Sequence, residues 1–242
     1  MLVGDPEYSN LPRKFKISIS GCRHWCSNPE INDVALTAVE DWDRGRELGF
    51  SLRVGGGLSS SPHLARRLNA FVRWPQALPV VRAAAGIFRD SDELRLNRHK
   101  ARLKFLFTEH GWTAERFLEE IERRTGIALE PAVREIPPHD PYRDHAGIHP
   151  QKQPGYYYAG FTILRGRITA RQLRAAAVLA ERCGDGQLRT TNMQNLVLVN
   201  IPRVRVSEVT GRANALGLPL DASAFWRGTM ACTGLEFCKL AI

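Results

Sequence analysis

The 242-residue sequence has no run of 18 apolar residues, so it lacks a segment that could form a transmembrane helix. Residues 1–8 contain neither a basic stretch nor an apolar stretch, which argues against a secretory signal peptide. No internal repeat or low-complexity segment is evident. These absences, with 43% apolar and 24% charged residues, predict an ordinary globular protein of one or two domains in the cytoplasm.

Acidic residues are in the minority. The chain has 34 lysines and arginines against 25 aspartates and glutamates, which gives a net charge of +9. A field of this sign favours an anionic partner, whether nucleic acid, an acidic protein, a small oxyanion or a polycarboxylate cofactor. A basic but inert surface accounts for the charge equally well.

Cysteine is scarce, with five in the chain, and a cytoplasmic location argues against a disulfide framework. Cys232 and Cys238 flank a glycine-containing turn, and their spacing suits metal ligation better than core packing. The chain stops four residues after Cys238, so we expect half of a metal site and an internal piece of an enzyme. Cys183 has apolar neighbours in an alanine-rich helix, which predicts burial.

A second pair, Cys22 and Cys26, follows a predicted strand and Gly21. If this segment were helical, residues i and i+4 would share a face, and both sulfurs could reach one metal ion or cluster. Two small buried residues at the end of a strand are an equally good interpretation.

Residues 13–20 alternate between apolar and polar side chains, which predicts a half-buried strand. One face carries Phe15, Ile17 and Ile19. The other face carries Lys14, Lys16, Ser18 and Ser20. Lys14 and Lys16 would then lie roughly 7 Å apart on one face, from the rise per residue of a strand. Two cations so close repel each other unless an anion or carboxylates lie between them. A pair of solvated lysines is the alternative that strand geometry alone favours.

Periodicity predicts further elements in the first part of the chain. Short strands are expected at 33–38 and 50–54, the second running into three glycines at 55–57. Ser61-Pro62 predicts the start of a helix with a stripe of Leu64, Leu68 and Phe71. Further helices are expected after Pro75, at 92–110 and at 113–126.

Residues 127–156 hold six prolines and no periodicity, which predicts a linker. Beyond it, a strand at 156–164, a helix at 169–184, a strand at 188–200 and a helix at 207–216 form half of a ferredoxin-like α/β sandwich.

Two polar runs do not fit simple packing. Residues 189–195 combine Arg189 with threonine and amide side chains, which could bind carboxylates, although the polar edge of a strand explains them nearly as well. Residues 149–154 concentrate polar groups in the predicted linker.

Together, these pieces resemble the sirohaem-dependent nitrite and sulfite reductases, and most closely the ferredoxin-dependent type. The motifs that carry the resemblance occur in the same order at 10–16, 21–26, 30–33, 54–58, 149–155, 189–195 and 231–238. The resemblance spans essentially the whole chain. It implies an α+β fold of α/β sandwiches, with a large sirohaem-type module followed by a ferredoxin-like half-module.

The resemblance also implies domain boundaries. Residues 1–130 would be the large module of the first half of such an enzyme, and 131–155 the linker. Residues 156–222 would be the ferredoxin-like half-module of the second half, and 223–242 the start of the second, cluster-binding module.

Members of that family reduce nitrite to ammonia or sulfite to sulfide with six electrons, usually taken from reduced ferredoxin. Their cofactors are sirohaem and a [4Fe–4S] cluster, which is held by a Cys-x5-Cys pair and a later Cys-x3-Cys pair. On this likeness, Cys232 and Cys238 are metal ligands, and Lys14 and Lys16 are catalytic. Cofactor-binding roles are implied for Arg13, Arg102 and Lys104.

Two departures from the family pattern stand out. The second Cys-x3-Cys pair and the first ferredoxin-like module are both missing, so we expect a truncated chain that holds neither cofactor stably and is inactive alone. Cys22 and Cys26 match the symmetry-related position of the first half, which in the family holds no cluster, and we expect them to be vestigial.

Two other functions match parts of the sequence. Precorrin-3B synthases share this architecture and oxidise a tetrapyrrole, but the Lys14 and Lys16 pair and the match at 149–155 favour the reductases. A basic nucleic-acid-binding module with a zinc site is disfavoured, because the cysteine pairs lack zinc-finger spacing and aromatic residues are not interleaved with the cations. The expected partners are nitrite or sulfite and ferredoxin, with neither nucleic acid nor membrane.

Overall fold

A computed structural model describes residues 2–43, 45–137, 139 and 144–239. The chain divides into two compact units, Met1–Arg143 and Asp144–Ile242. Each unit has its own hydrophobic core and its own four-stranded sheet. In the described part of the chain, no helix combines the length and the apolar character that crossing a membrane requires.

The sheet of the first unit has strand order β1-β2-β3-β4. Its strands are β1 (Ile17–Ser20), β2 (Val34–Asp41), β3 (Glu47–Val54) and β4 (Arg66–Arg73). β1 runs parallel to β2, and the other neighbours are antiparallel. The strands predicted at 33–38 and 50–54 are confirmed, and both are longer than expected because they pair with each other along their full length.

The described residues of the first unit form three α-helices: α1 (Ala77–Asp90), α2 (Lys104–Thr108) and α3 (Ala114–Thr125). The predicted helix at 113–126 is confirmed, and so are the residues that were predicted to cap its start and to end it. The Thr113 hydroxyl accepts a hydrogen bond from the Arg116 amide at 3.1 Å, and Gly126 ends the helix with a φ of 68°. The helix predicted after Pro75 is α1.

The predicted helix that starts at Ser61 is wrong, because residues 66–73 form β4. Leu68, Ala70 and Val72 are buried with a period of two, as a strand requires. Leu64, which the helical stripe needed, is 61% exposed. Pairing with β3 therefore overrides a helical spacing that was present by coincidence.

The single helix predicted at 92–110 is also wrong. The segment forms two 3-10 turns, Asp92–Leu94 and Arg98–Lys100, followed by the short α2. The Asn97 side chain accepts a hydrogen bond from the His99 amide at 3.0 Å and caps the second turn, which stops any helix from running through it.

The strand predicted at 13–20 is confirmed only from Ile17 onwards, and its faces are reversed. Ser18 and Ser20 are buried, whereas Ile19 is 60% exposed. The Ser20 hydroxyl points inwards because it donates to the carbonyls of Cys22 and His24, at 3.1 and 2.8 Å. The outer face of β1 is consequently apolar.

The second unit has strand order β5-β6-β8-β7, with all neighbours antiparallel. Its elements are β5 (Gly147–Pro150), β6 (Tyr156–Phe161), α4 (Ala170–Cys183), β7 (Leu188–Thr190), β8 (Leu196–Pro202), α5 (Val206–Ala215) and α6 (Ala224–Gly228). The helices predicted at 169–184 and 207–216 are confirmed, and Cys183 is buried as expected.

Two expectations for this unit need correction. The strand predicted at 188–200 is a hairpin of β7 and β8, because residues 191–195 turn, with Thr191 donating its amide to the Asn195 carbonyl at 3.0 Å. The predicted linker 131–155 contains β5, which pairs with β6.

Candidate functional site

Arg13, Lys14 and Lys16 lie in an extended segment that leads into β1. All three side chains are exposed, and none forms a hydrogen bond or ion pair with another residue that the structure describes. The two lysines precede the strand, so they do not share a strand face as predicted. Their segment lines a groove of about 690 Å³ in the first unit.

The cationic segment is anchored at two points. The Phe15 ring stacks on Phe88 of α1, with 5.3 Å between ring centroids and 18° between planes. The Lys16 amide donates to Asp33 Oδ2 at 2.8 Å, and the Lys16 carbonyl accepts from the Val34 amide at 3.1 Å. The backbone between the two lysines is therefore fixed while their side chains remain in solvent.

Asp33 connects this segment to Arg102. The carboxylate is fully buried and accepts hydrogen bonds from Arg102 Nε at 3.2 Å and from Arg102 Nη2 at 2.8 Å. Burial raises the pKa of Asp33, and the bonds from Arg102 act in the opposite direction. Arg102 was predicted to contact a cofactor, and in this structure its guanidinium is buried against Asp33.

Lys104 is buried at the start of α2 and binds the loop that follows β3. Its ammonium donates to the carbonyls of Leu58 at 3.0 Å, Gly57 at 3.4 Å and Ser61. Burial lowers the pKa of Lys104, and the nearby charge of Arg102 adds to this effect. Lys104 was predicted to contact a cofactor, whereas these three hydrogen bonds all go to backbone carbonyls of the protein.

The three glycines at 55–57 make room for the chain itself. Gly55 has a φ of 78°, and a Cβ there would collide with the Phe107 ring. A Cβ on Gly56 would collide with the Glu30 and Asn32 carbonyls. The close approach that the glycines predicted is thus an approach of protein to protein.

Cys22 and Cys26 lie in a series of bends and turns, so the helical premise for this pair is wrong. A hydrogen bond from the Cys26 thiol lowers the pKa of Cys22, and the His24 amide contributes. The pKa of Cys26 is raised, because the Cys22 sulfur accepts its proton and burial disfavours its thiolate. Trp25, between the two, lies under the Arg53 guanidinium at 4.8 Å.

Cys232 and Cys238 lie after α6 in the last described part of the chain. The Gly234 amide donates to the Cys232 sulfur and lowers the pKa of that exposed thiol. Gly234 has a φ of 84°, and its carbonyl accepts from the Cys238 amide at 3.0 Å. Among the described residues, no group of three or more potential ligands is arranged to hold a metal ion.

One contact beside the candidate ligand Cys232 is not predicted by the sequence. Gln194, in the polar run 189–195, brackets the residue before Cys232: its Oε1 accepts from the Ala231 amide at 3.0 Å, and its Nε2 donates to the Ala231 carbonyl at 2.8 Å. Only the polar density of the run signalled this role, since the partner is 37 residues away.

Comparison with known proteins gives a consistent result in both units. The family model described as "Nitrite and sulphite reductase 4Fe-4S domain" matches residues 2–129. A second model, "Nitrite/Sulfite reductase ferredoxin-like half domain", matches residues 149–216.

Individual relatives match nearly the whole chain. A sulfite reductase [ferredoxin] of Mycolicibacterium paratuberculosis is 39% identical over 99% of this chain and 42% of its own length. A ferredoxin–nitrite reductase of Synechococcus elongatus is 36% identical over 99% of this chain and 46% of its own length. The solved structure of Mycobacterium tuberculosis NirA matches 98% of this chain with a TM-score of 0.89, at 37% identity and over 42% of its own length.

The chain thus spans less than half the length of the relatives it matches. Within that span, both units and their order agree with a single family. On this evidence, the chain belongs to the nitrite and sulfite reductase family.

Proposed function

We propose that this chain is part of a cytoplasmic, ferredoxin-dependent reductase that carries sirohaem and a [4Fe–4S] cluster and converts nitrite to ammonia or sulfite to sulfide. The observation that carries the proposal is the match over 98–99% of the chain to proteins named sulfite reductase [ferredoxin] and ferredoxin–nitrite reductase. The net charge of +9 suits an acidic electron donor.

Cys232 and Cys238 suit two positions of the cluster. A [4Fe–4S] cluster binds four thiolates, and a thiol must lose its proton to become a ligand. The Gly234 amide favours the thiolate of Cys232, and the turn at Gly234 keeps the two cysteines on one short loop. Gln194 holds the start of this loop through Ala231.

Lys14 and Lys16 suit the anionic substrate. The cofactors, when bound, supply the electrons that the substrate takes up. The two ammonium groups would neutralise the charge of the bound oxyanion and donate protons to the oxygens that leave as water. We assign Arg13 to the carboxylates of the cofactor, because its exposed guanidinium belongs to the same segment.

The outer face of β1 suits the flat ring of the proposed cofactor. Ile17 and Ile19 are exposed directly after the cationic segment, so apolar and cationic groups adjoin on one surface. Such a surface complements a tetrapyrrole with carboxylate substituents. Arg102 and Lys104 remain predicted cofactor contacts, but their buried bonds to Asp33 and to the 57–61 loop favour an indirect role.

The test is to replace each lysine by methionine in the holoenzyme that contains this chain. For Lys14→Met and Lys16→Met we expect kcat/KM for sulfite or nitrite to fall by about 100-fold or more, the scale of lost general acid catalysis. The visible spectrum should show unchanged cofactor content, since both side chains are exposed.

Lys100→Met is the matched control. Lys100 is an exposed lysine of the same unit, and its ion pair with Glu109 at 3.0 Å lies on the surface. Its replacement should leave kcat/KM unchanged. Normal turnover by both Lys14→Met and Lys16→Met would contradict the proposed function.

A further inference from the structure

We infer that Asp33 and Arg102 form a buried positioning pair that fixes the backbone of Lys16 and thereby directs the Lys14 and Lys16 side chains. The inference rests on the proposed function of the two lysines. Neither member of the pair contacts the substrate in this proposal, because both are buried beneath the segment that carries the cations.

The contacts form a continuous chain. Arg102 donates through Nε and Nη2 to the two carboxylate oxygens of Asp33, at 3.2 and 2.8 Å. Asp33 Oδ2 accepts the Lys16 amide at 2.8 Å. The next residue, Val34, donates its amide to the Lys16 carbonyl at 3.1 Å, so both backbone groups of Lys16 are bound to consecutive residues.

The Asp33 carboxylate accepts the hydrogen bond from the Lys16 amide that the backbone of a neighbouring strand would otherwise accept. The ladder between β1 and β2 begins at the pair Ile17 and Val34, so Lys16 lies one residue before it. Without Asp33, the Lys16 amide would lack a partner at this end of the strand. The Asp33 side chain extends the ordered backbone by one residue, to the position from which a lysine projects.

The same anchored segment sets the direction of the Lys14 side chain. Phe15 lies between the two lysines and is fixed by its stacking on Phe88, at 5.3 Å. With Lys16 held by Asp33 and Phe15 held by Phe88, the backbone leading to Lys14 has two anchors. Long lysine side chains keep their own rotamer freedom, but their origin and direction are set by the backbone.

A purely stabilising role accounts less well for this pair. Burying two charges is costly, and an apolar pair of similar size often stabilises a fold as much or more. A second buried arginine pair offers a comparison: Arg53 donates to both carboxylate oxygens of Glu135, and among the described residues no hydrogen bond joins it to Lys14 or Lys16. Arg53 therefore offers a matched comparison for Arg102.

The first test measures the Lys16 amide directly. In Arg102→Lys, a point charge replaces the two-pronged donor, and Asp33 loses its fixed orientation. We expect hydrogen exchange at the Lys16 amide, followed by nuclear magnetic resonance, to accelerate about tenfold or more. Arg53→Lys should lose comparable global stability without changing exchange at Lys16 relative to its neighbours. Equal acceleration in both variants would overturn the inference.

Asp33→Asn is the second variant, for use if Arg102→Lys does not fold. An asparagine oxygen can face Lys16 only if its amide nitrogen faces Arg102, which sets donor against donor. Exchange at Lys16 should accelerate here too. Unchanged exchange at Lys16 in a folded Asp33→Asn would count against the positioning pair.

The second test separates this inference from the proposed function. In the holoenzyme, Arg102→Lys should lower kcat/KM by about tenfold or more with cofactor content unchanged, and should cost little further in a background that carries both Lys14→Met and Lys16→Met. If Lys16→Met reduces turnover but Arg102→Lys does not, the positioning role fails and the proposed function stands.

Two remaining outcomes are equally decisive. If neither lysine matters for turnover, the proposed function fails, and exchange at Lys16 alone decides the backbone role. If Arg102→Lys loses cofactor while exchange at Lys16 is unchanged, Arg102 contacts the cofactor directly and the inference is overturned.

Discussion

The cysteines of this chain differ in environment more than their spacing indicates. Cys183 is buried in α4 among apolar side chains, and burial raises the pKa of its thiol. Cys232 is exposed, and the Gly234 amide lowers the pKa of its thiol. The sequence predicted the burial of Cys183 from its helical neighbours, but the amide at Cys232 depends on the conformation of a turn.

Alkylation rates should report this difference. At pH 7 we expect iodoacetamide to modify Cys232 faster than Cys183, because the thiolate is the reactive form and must be accessible. Mass spectrometry of peptides taken over time gives the order. In denaturant the two rates should converge, and equal rates in the folded chain would contradict the assignment.

The candidate site shows what residue patterns can and cannot predict. Lys14 and Lys16 are recognisable in the sequence because they lie in a short motif of charged and apolar residues. The role of Asp33 is not recognisable, although Asp33 belongs to the motif at 30–33, because its partner Arg102 is 69 residues away. Side chains that act through the backbone of another residue leave no local signal.

At the scale of elements, local signals predicted α3 and failed for β4. The ends of α3 depend on Thr113 and Gly126, which act within one turn of the helix. β4 depends on its partner β3, which no local pattern reveals. β1 failed in a different way: Ser18 and Ser20 face inwards, and the alternation identified the strand but not its buried face.

Helix α3 also carries a pH-sensitive ion pair. Glu120 accepts from Arg123 Nε at 2.7 Å and Arg124 Nε at 2.6 Å, and these bonds lower the pKa of Glu120 to about 2. Its pKa in the folded chain lies below that of the unfolded chain. The stabilisation is therefore present above the unfolded pKa and is lost as the pH falls towards 2.

We expect Glu120→Gln to lower the free energy of unfolding at neutral pH and to have a vanishing effect in acid. The loss should stay below about 1 kcal/mol, because water screens these partly exposed groups. Urea denaturation at a series of pH values measures it. Glu119→Gln, at the exposed neighbouring position, is the control, and a pH-independent effect of Glu120→Gln would contradict the prediction.

At the scale of the whole molecule, two modules could be predicted because prolines and the loss of periodicity mark the region between them. The boundary between the compact units, at Arg143 and Asp144, lies inside the predicted linker. The strand β5 could not be predicted there, because its sequence of four residues shows no strand pattern of its own and forms a strand by pairing with β6. The domain limits 1–130, 156–222 and 223–242 stay predictions.

The two cysteine pairs lie in different units, and only one of them is proposed to bind the cluster. In the holoenzyme that contains this chain, we expect Cys232→Ser with Cys238→Ser to abolish the cluster, because the cluster would lose two of the four thiolates that it binds. Iron and acid-labile sulfide content, together with electron paramagnetic resonance, measure the loss.

Cys22→Ser with Cys26→Ser is the matched control and a test in its own right. The Cys26 thiol donates a hydrogen bond to the Cys22 sulfur, and the pair matches a position that holds no cluster in the family. Their replacement should leave the iron content unchanged. Loss of iron in this variant, with iron retained in the other, would move the cluster to the first unit and reverse the assignment of Cys232 and Cys238.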